Sequence, residues 1–178
     1  MTPIQSILCF LLICSPLSSQ AADLWWNYMA RYDNGIGTTD VNLTLYKKVP
    51  LADYPYLVTT GTRYPTSFIS NNPSKADIAR FKQQDQQVLA AITAISPGIH
   101  AGGFTYDGEH RLYVYVQRPD GIDAALKQLY TKICVECKSF TRIKEDKTWA
   151  GYKKFIYPNP QTREFYKKRL EKMGFKHE

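Results

Sequence analysis

Asp107-Gly108, set between the β-rich runs Ile99–Tyr106 and Glu109–Gln117, restricts the fold of this chain more than any other feature. A two-residue hairpin turn that matches strand twist needs positive φ, which Asp tolerates and Gly adopts freely. The chain therefore doubles back here. A helix signal lies on each side. Upstream, Ser74 with Asp77 three residues on is a variant of the capping box. Ile78, Phe81, Val88, Leu89, Ile92 and Ile95 then recur at helical spacing until Pro97-Gly98. Downstream, Asp120 caps a second helix with the apolar face Ile122, Leu126, Leu129, Tyr130 and Ile133. Tyr56–Thr62 and Ser139–Lys144 read as flanking strands. The order strand, helix, strand, strand, helix, strand predicts an α+β chain with a ferredoxin-like βαββαβ core over about residues 55–146, an antiparallel sheet with both helices on one face.

The remainder adds to this core. Leu24–Tyr32 and Val41–Tyr46, joined through Asp33-Asn34-Gly35, predict an N-terminal β-hairpin that extends the sheet or covers its open face. Tyr64–Asn72 is rich in Ser, Asn and Pro and reads as a loop. Asn159-Pro160 supplies a cap and a first helical residue for a basic C-terminal helix, with Phe165, Tyr166, Leu170 and Met173 inward and Gly174 past its end.

Residues 1–22 carry no charged side chain, and Ile7–Ile13 with Leu17 leads into Ser19-Gln20-Ala21, the small-residue pattern of a cleavable secretory signal. Cleavage is expected after Ala21 or Ala22. The apolar run falls short of the ~20 residues that span a bilayer. The expected product is one periplasmic or secreted domain, residues 23–178, with no membrane span. Cys9 and Cys14 leave with the signal, so Cys134 and Cys137 remain, and a short disulfide is the default in an oxidising compartment.

Charge is unevenly placed. Residues 1–137 hold 11 Lys/Arg and 11 Asp/Glu, whereas 138–178 hold 12 and 5, so the net charge of +7 belongs to the C-terminal end. Lys153, Lys154, Arg163, Lys167, Lys168 and Arg169 are candidate contacts for an anionic partner, either a protein or an envelope polymer. Three Trp and 13 Tyr supply flat amphipathic side chains, of which Trp26 and Tyr28 are expected to face outward as contact residues. Export and the lack of a reading motif argue against nucleic acid.

Tyr54-Pro55 before a strand, Asp107-Gly108 before Leu112-Tyr113-Val114-Tyr115, and above all Asp146-Lys147-Thr148-Trp149-Ala150-Gly151-Tyr152 continuing to Tyr157-Pro158 resemble the bacterial domain of unknown function number 695. The segment Ser67–Pro73 departs from that pattern, lacking its Gly-Leu-Pro and acidic residue, and the cysteine pair is foreign to it. The family is similar, in its ferredoxin-like part, to the B-type regulator of ribonuclease E activity, a protein inhibitor. That similarity implies a binding role.

Catalytic chemistry has little to rest on. Cys134 and Cys137 follow a helix instead of opening one, so the dipole that depresses a redox thiol is absent, although a thiol-disulfide oxidoreductase is the alternative from another class. A zinc site would need two more ligands, and the histidines are His100, His110 and His177. His100 and His110 are expected near each other across the hairpin, without a nucleophile motif beside them. No cofactor motif is present. The reading is a non-enzymatic binding or inhibitor-type module acting on an envelope partner, through exposed sheet surface or the basic helix. A structural envelope component is the third alternative.

Overall fold

The computed structural model describes residues 23–65, 73–135 and 137–174. The expected signal segment and most of the loop before the first helix lie outside the described residues. Strands β1 (Trp25–Tyr32), β2 (Gly35–Asn42), β3 (Tyr56–Arg63), β4 (Gly98–Tyr106), β5 (Glu109–Val116) and β6 (Ser139–Glu145) form one antiparallel sheet in the order β1-β2-β4-β5-β3-β6. Helices α1 (Lys75–Thr93) and α2 (Ile122–Ile133) complete the βαββαβ core, and the N-terminal hairpin extends the sheet beyond β4. Asp107 and Gly108 turn β4 into β5 with φ of 48° and 74°. The Ser74 and Asp77 side chains cap α1 reciprocally.

Period-two alternation sorts the core onto the two faces. Leu112, Val114 and Val116 of β5 meet Val88 and Ile92 of α1 and Ile122, Leu126 and Tyr130 of α2. Tyr113 and Tyr115 point the other way, into a second cluster with Trp26, Tyr28, Val41, Leu57, Trp149, Tyr152 and Ile156. That opposite face is covered by the chain after β6: a π-helical turn (Gly151–Ile156), then α3 (Pro160–Phe165) and α4 (Lys167–Lys172). Three tyrosine hydroxyls fasten this covering to the N-terminal hairpin. Tyr28 donates to the Ile156 carbonyl at 2.9 Å, Tyr152 to that of Asn42 at 2.8 Å, and Tyr166 to that of Met29 at 3.2 Å.

This layer overturns the outward placement of Trp26 and Tyr28, which are 2% and 4% exposed. Their side of β1 is the side that the C-terminal segment occupies, so Trp25, Met29 and Arg31 take the exposed positions instead. The second strand stops at Asn42, whose side chain accepts the Thr44 N–H and bends the chain into a 3-10 turn at Leu43–Leu45. Gly121, at φ 81°, takes the cap position of α2 assigned to Asp120. The C-terminal helix breaks at Tyr166 into two short helices, and Phe165, read as inward, is 82% exposed.

Candidate functional site

The Asp-x-x-Trp segment is a scaffold. Asp146 accepts the N–H groups of Ala150 at 2.9 Å and Gly151 at 2.8 Å, together with the Tyr115 hydroxyl at 2.7 Å, and thereby caps the π-helical turn. Tyr115 in turn accepts the Tyr152 N–H at 3.0 Å and stacks on Trp149, the rings 3.7 Å apart and within 4° of parallel. Burial alone would raise the Asp146 pKa. The donors from Tyr115, Gly151 and Ala150 outweigh it, so the carboxyl lies below its ordinary range. A Cβ at Gly151 would lie 2.5 Å from the Leu57 side chain, 3.0 Å from the Tyr115 hydroxyl and 3.1 Å from the Asp146 carboxylate, so a side chain there would displace Leu57 and crowd this network.

The turn so anchored covers the sheet only in part. Between it and the β6 edge lies an open cleft of about 610 Å³, floored by Leu57, Thr59 and Tyr113, with Ala150, Gly151 and Phe155 on one side and Phe140, Arg142 and Lys144 on the other. Alternation in β6 places Phe140, Arg142 and Lys144 together on this face. Arg111 enters from β5. Its guanidinium is held by Glu109 and lies 5.9 Å from the Phe104 ring centre. Arg142 lies over Phe140 at 5.9 Å. Among the described residues neither Arg142 nor Lys144 has an ion-pair partner. Burial pushes the Tyr113 phenol up to about 12, so it stays a neutral donor. The cleft therefore combines exposed cations with aromatic walls, a lining suited to carboxylate groups on an amphipathic partner. In the sequence Tyr113, Ala150 and Gly151 stand out as part of the family resemblance, and Leu57, Thr59, Phe140, Arg142 and Lys144 only as strand positions. The alternation of Phe140, Arg142 and Lys144 along Ser139–Lys144 is the signal that puts those three on one face.

The other candidates are dispersed. Lys153 and Lys154 are exposed on the π-helical turn, and Lys168 and Arg169 on α4. Lys167 lies 3.7 Å from Glu164, and Arg163 donates to the Pro158 carbonyl at 3.2 Å with its guanidinium over Tyr157. His100 and His110 line a different groove, between α1 and the sheet, but their backbones pair with Val114 and Thr105 respectively. His110 is tied at 2.7 Å to the Thr105 hydroxyl and at 3.0 Å to each Asp85 oxygen, with Phe81 stacked on it at 4.3 Å. That network joins α1 to the hairpin. His100 packs against Trp25 at 4.6 Å, and burial lowers its pKa, keeping it neutral. No group of three or more His, Cys, Asp or Glu among the described residues could hold a metal ion. Cys134 and Cys137 are joined by a disulfide at the C-terminal end of α2, with Cys134 buried. The negative end of the helix dipole there opposes a thiolate.

The model of a family of unknown function, DUF695, matches residues 23–157. The matched span contains every residue of the cleft and ends before α3 and α4. No curated protein and no solved structure matches the chain.

Proposed function

We propose that this chain, which belongs to the DUF695 family of unknown function, is an exported, non-enzymatic binding module of the inhibitor type that takes an acidic partner into the Arg111–Arg142–Lys144 cleft. One observation carries the reading: three cations and three aromatic rings share one open surface of the sheet, and among the described residues Arg142 and Lys144 form no direct ion pair, the Asp146 carboxylate near Lys144 being engaged by Tyr115, Ala150 and Gly151. Arginine suits this role because its planar fork binds a carboxylate through two parallel hydrogen bonds and stacks on rings. The family match favours the cleft over the basic helices, since only the cleft lies within it. Export is motivated by the uncharged N-terminal segment.

The test compares three tagged proteins recovered from the native envelope. Arg142→Glu with Lys144→Glu should lose whatever acidic partner the wild type retains, whereas Lys167→Glu, Lys168→Glu and Arg169→Glu together should keep it. The reverse pattern would move the site to the helix. The N-terminal residue of the recovered protein tests export, which requires a start at Ala22 or Asp23. An uncleaved, intracellular chain would refute that part.

A further inference from the structure

The cleft opens onto a sheet edge. Among the described residues β6 is the last strand of the sheet and pairs only with β3. The direction of its backbone groups follows from the ends of the ladder. The Lys138 carbonyl accepts from Arg63 at 2.8 Å and the Asp146 N–H donates to Pro55 at 2.7 Å, so the even-numbered residues turn their N–H and C=O toward β3. In an antiparallel pair the odd-numbered ones turn away. Ser139, Thr141, Ile143 and Glu145 thus present a row of donors and acceptors to the outside, while Phe140, Arg142 and Lys144 project into the cleft beside them.

The opposite edge of the sheet is not equivalent. On β1 the Met29 carbonyl is already taken by the Tyr166 hydroxyl, and α3 with Tyr166 flanks residues 29–31. Among the described residues β6 carries no such cover.

Building on the binding reading above, we infer that the partner enters as an extended acidic segment that adds a seventh strand to β6. Outward backbone groups would supply the ladder. Alternate acidic side chains of the segment would lie opposite Arg142 and Lys144, with its other side chains turned toward the α2 face. Strand addition accounts for both halves of the arrangement, the unpaired edge and the cations alternating along it. A second copy of this chain is a poor occupant, because two β6 strands side by side would set cations against cations.

The probe is a synthetic peptide of about ten residues alternating Glu with Val, enough to pair along the whole of a strand this long. A short inorganic polyphosphate serves as the non-peptide anion. Binding is titrated with wild type, with Arg142→Glu/Lys144→Glu and with Thr141→Pro, and hydrogen exchange is followed at the Thr141 and Ile143 amides. Proline at this outward-facing edge position removes an N–H that β3 does not use, together with the Thr141 hydroxyl's bond to Thr60 at 3.0 Å. Thr141→Val, which loses the hydroxyl alone, is therefore titrated beside it and should bind the peptide like wild type. Strand addition requires that the peptide slow exchange at both amides and that Thr141→Pro weaken the peptide roughly tenfold, with polyphosphate affinity unchanged. Should Thr141→Pro unfold the chain, the exchange measurement on wild type decides by itself. Peptide binding that depends on Arg142 and Lys144 but leaves both amides exchanging freely would overturn strand addition and leave the cleft reading in place. Failure of every anion to bind would overturn both.

Discussion

Replacing Asp146 tests the scaffold on which the cleft depends. Its carboxylate is 7% exposed and accepts hydrogen bonds from Ala150, Gly151 and Tyr115 at 2.9, 2.8 and 2.7 Å. A hydrogen bond to a charged group contributes about 1.5 kcal/mol net, so the loss of three in Asp146→Ala should destabilise the fold by about 4.5 kcal/mol. Asp146→Asn keeps one acceptor oxygen but turns an NH2 group toward a donor, and about 2 kcal/mol is expected. The sign of the pH dependence follows from the lowered carboxyl. The folded state binds fewer protons than the unfolded chain, whose value is 3.8. The stabilisation is therefore fully present above that value and is lost as pH falls through the depressed folded one. Urea unfolding followed by tryptophan fluorescence, at neutral pH and in acid, measures both. Coupling to Tyr115→Phe in a double-mutant cycle should be strongly non-additive. A neutral-pH loss below about 1 kcal/mol for Asp146→Ala, or a gap that persists undiminished in acid, would refute the reasoning.

Gly61→Ala places a Cβ on the His110 carbonyl oxygen, within a strand pair where neither backbone can yield. A loss of about 3 kcal/mol, a fall in Tm of roughly 10 °C, is expected in calorimetry, and a shift under about 2 °C would disprove the close approach. Joint replacement of Cys134 and Cys137 by alanine opens a loop of sequence separation 3. In the chain-entropy model so short a loop contributes about 2 kcal/mol. Denaturant unfolding should show that loss with the same cooperativity, and a variant as stable as wild type would refute the stabilising role.

Local chemistry made most of the core legible. The Asp107-Gly108 turn and the Ser74–Asp77 cap each depend on residues within a few positions of one another, and both stand where the sequence places them. The errors arose where distant segments decide. Trp26 and Tyr28 share their strand with Trp25 and Met29 on the other face, so alternation does not say which face is covered, and the return of Gly151–Tyr166 across theirs buries them. Phe165 follows the helical period of its neighbours, yet the break at Tyr166 rotates it into solvent. Leu43–Tyr46 alternate as the end of a strand would, yet the Asn42 side chain accepts the Thr44 N–H and turns them into a 3-10 turn. The cleft is hidden in the sequence for a related reason. Arg142 and Lys144 belong to the basic C-terminal excess by position, whereas β6 sets them beside Tyr113 and Phe155, which come from other elements.

The three tyrosine hydroxyls that fasten the hairpin to the C-terminal segment join residues 128, 110 and 137 positions apart. They impose an order of assembly. Contacts of such separation carry the largest loop-closure cost, so the βαββαβ core, whose pairings are closer in sequence, can form before them. During synthesis the hairpin emerges first but its aromatic face must wait for the last residues to be made. In that interval Trp26 and Tyr28 form an uncovered apolar surface, which makes the nascent chain, rather than the finished one, the form most in need of a chaperone.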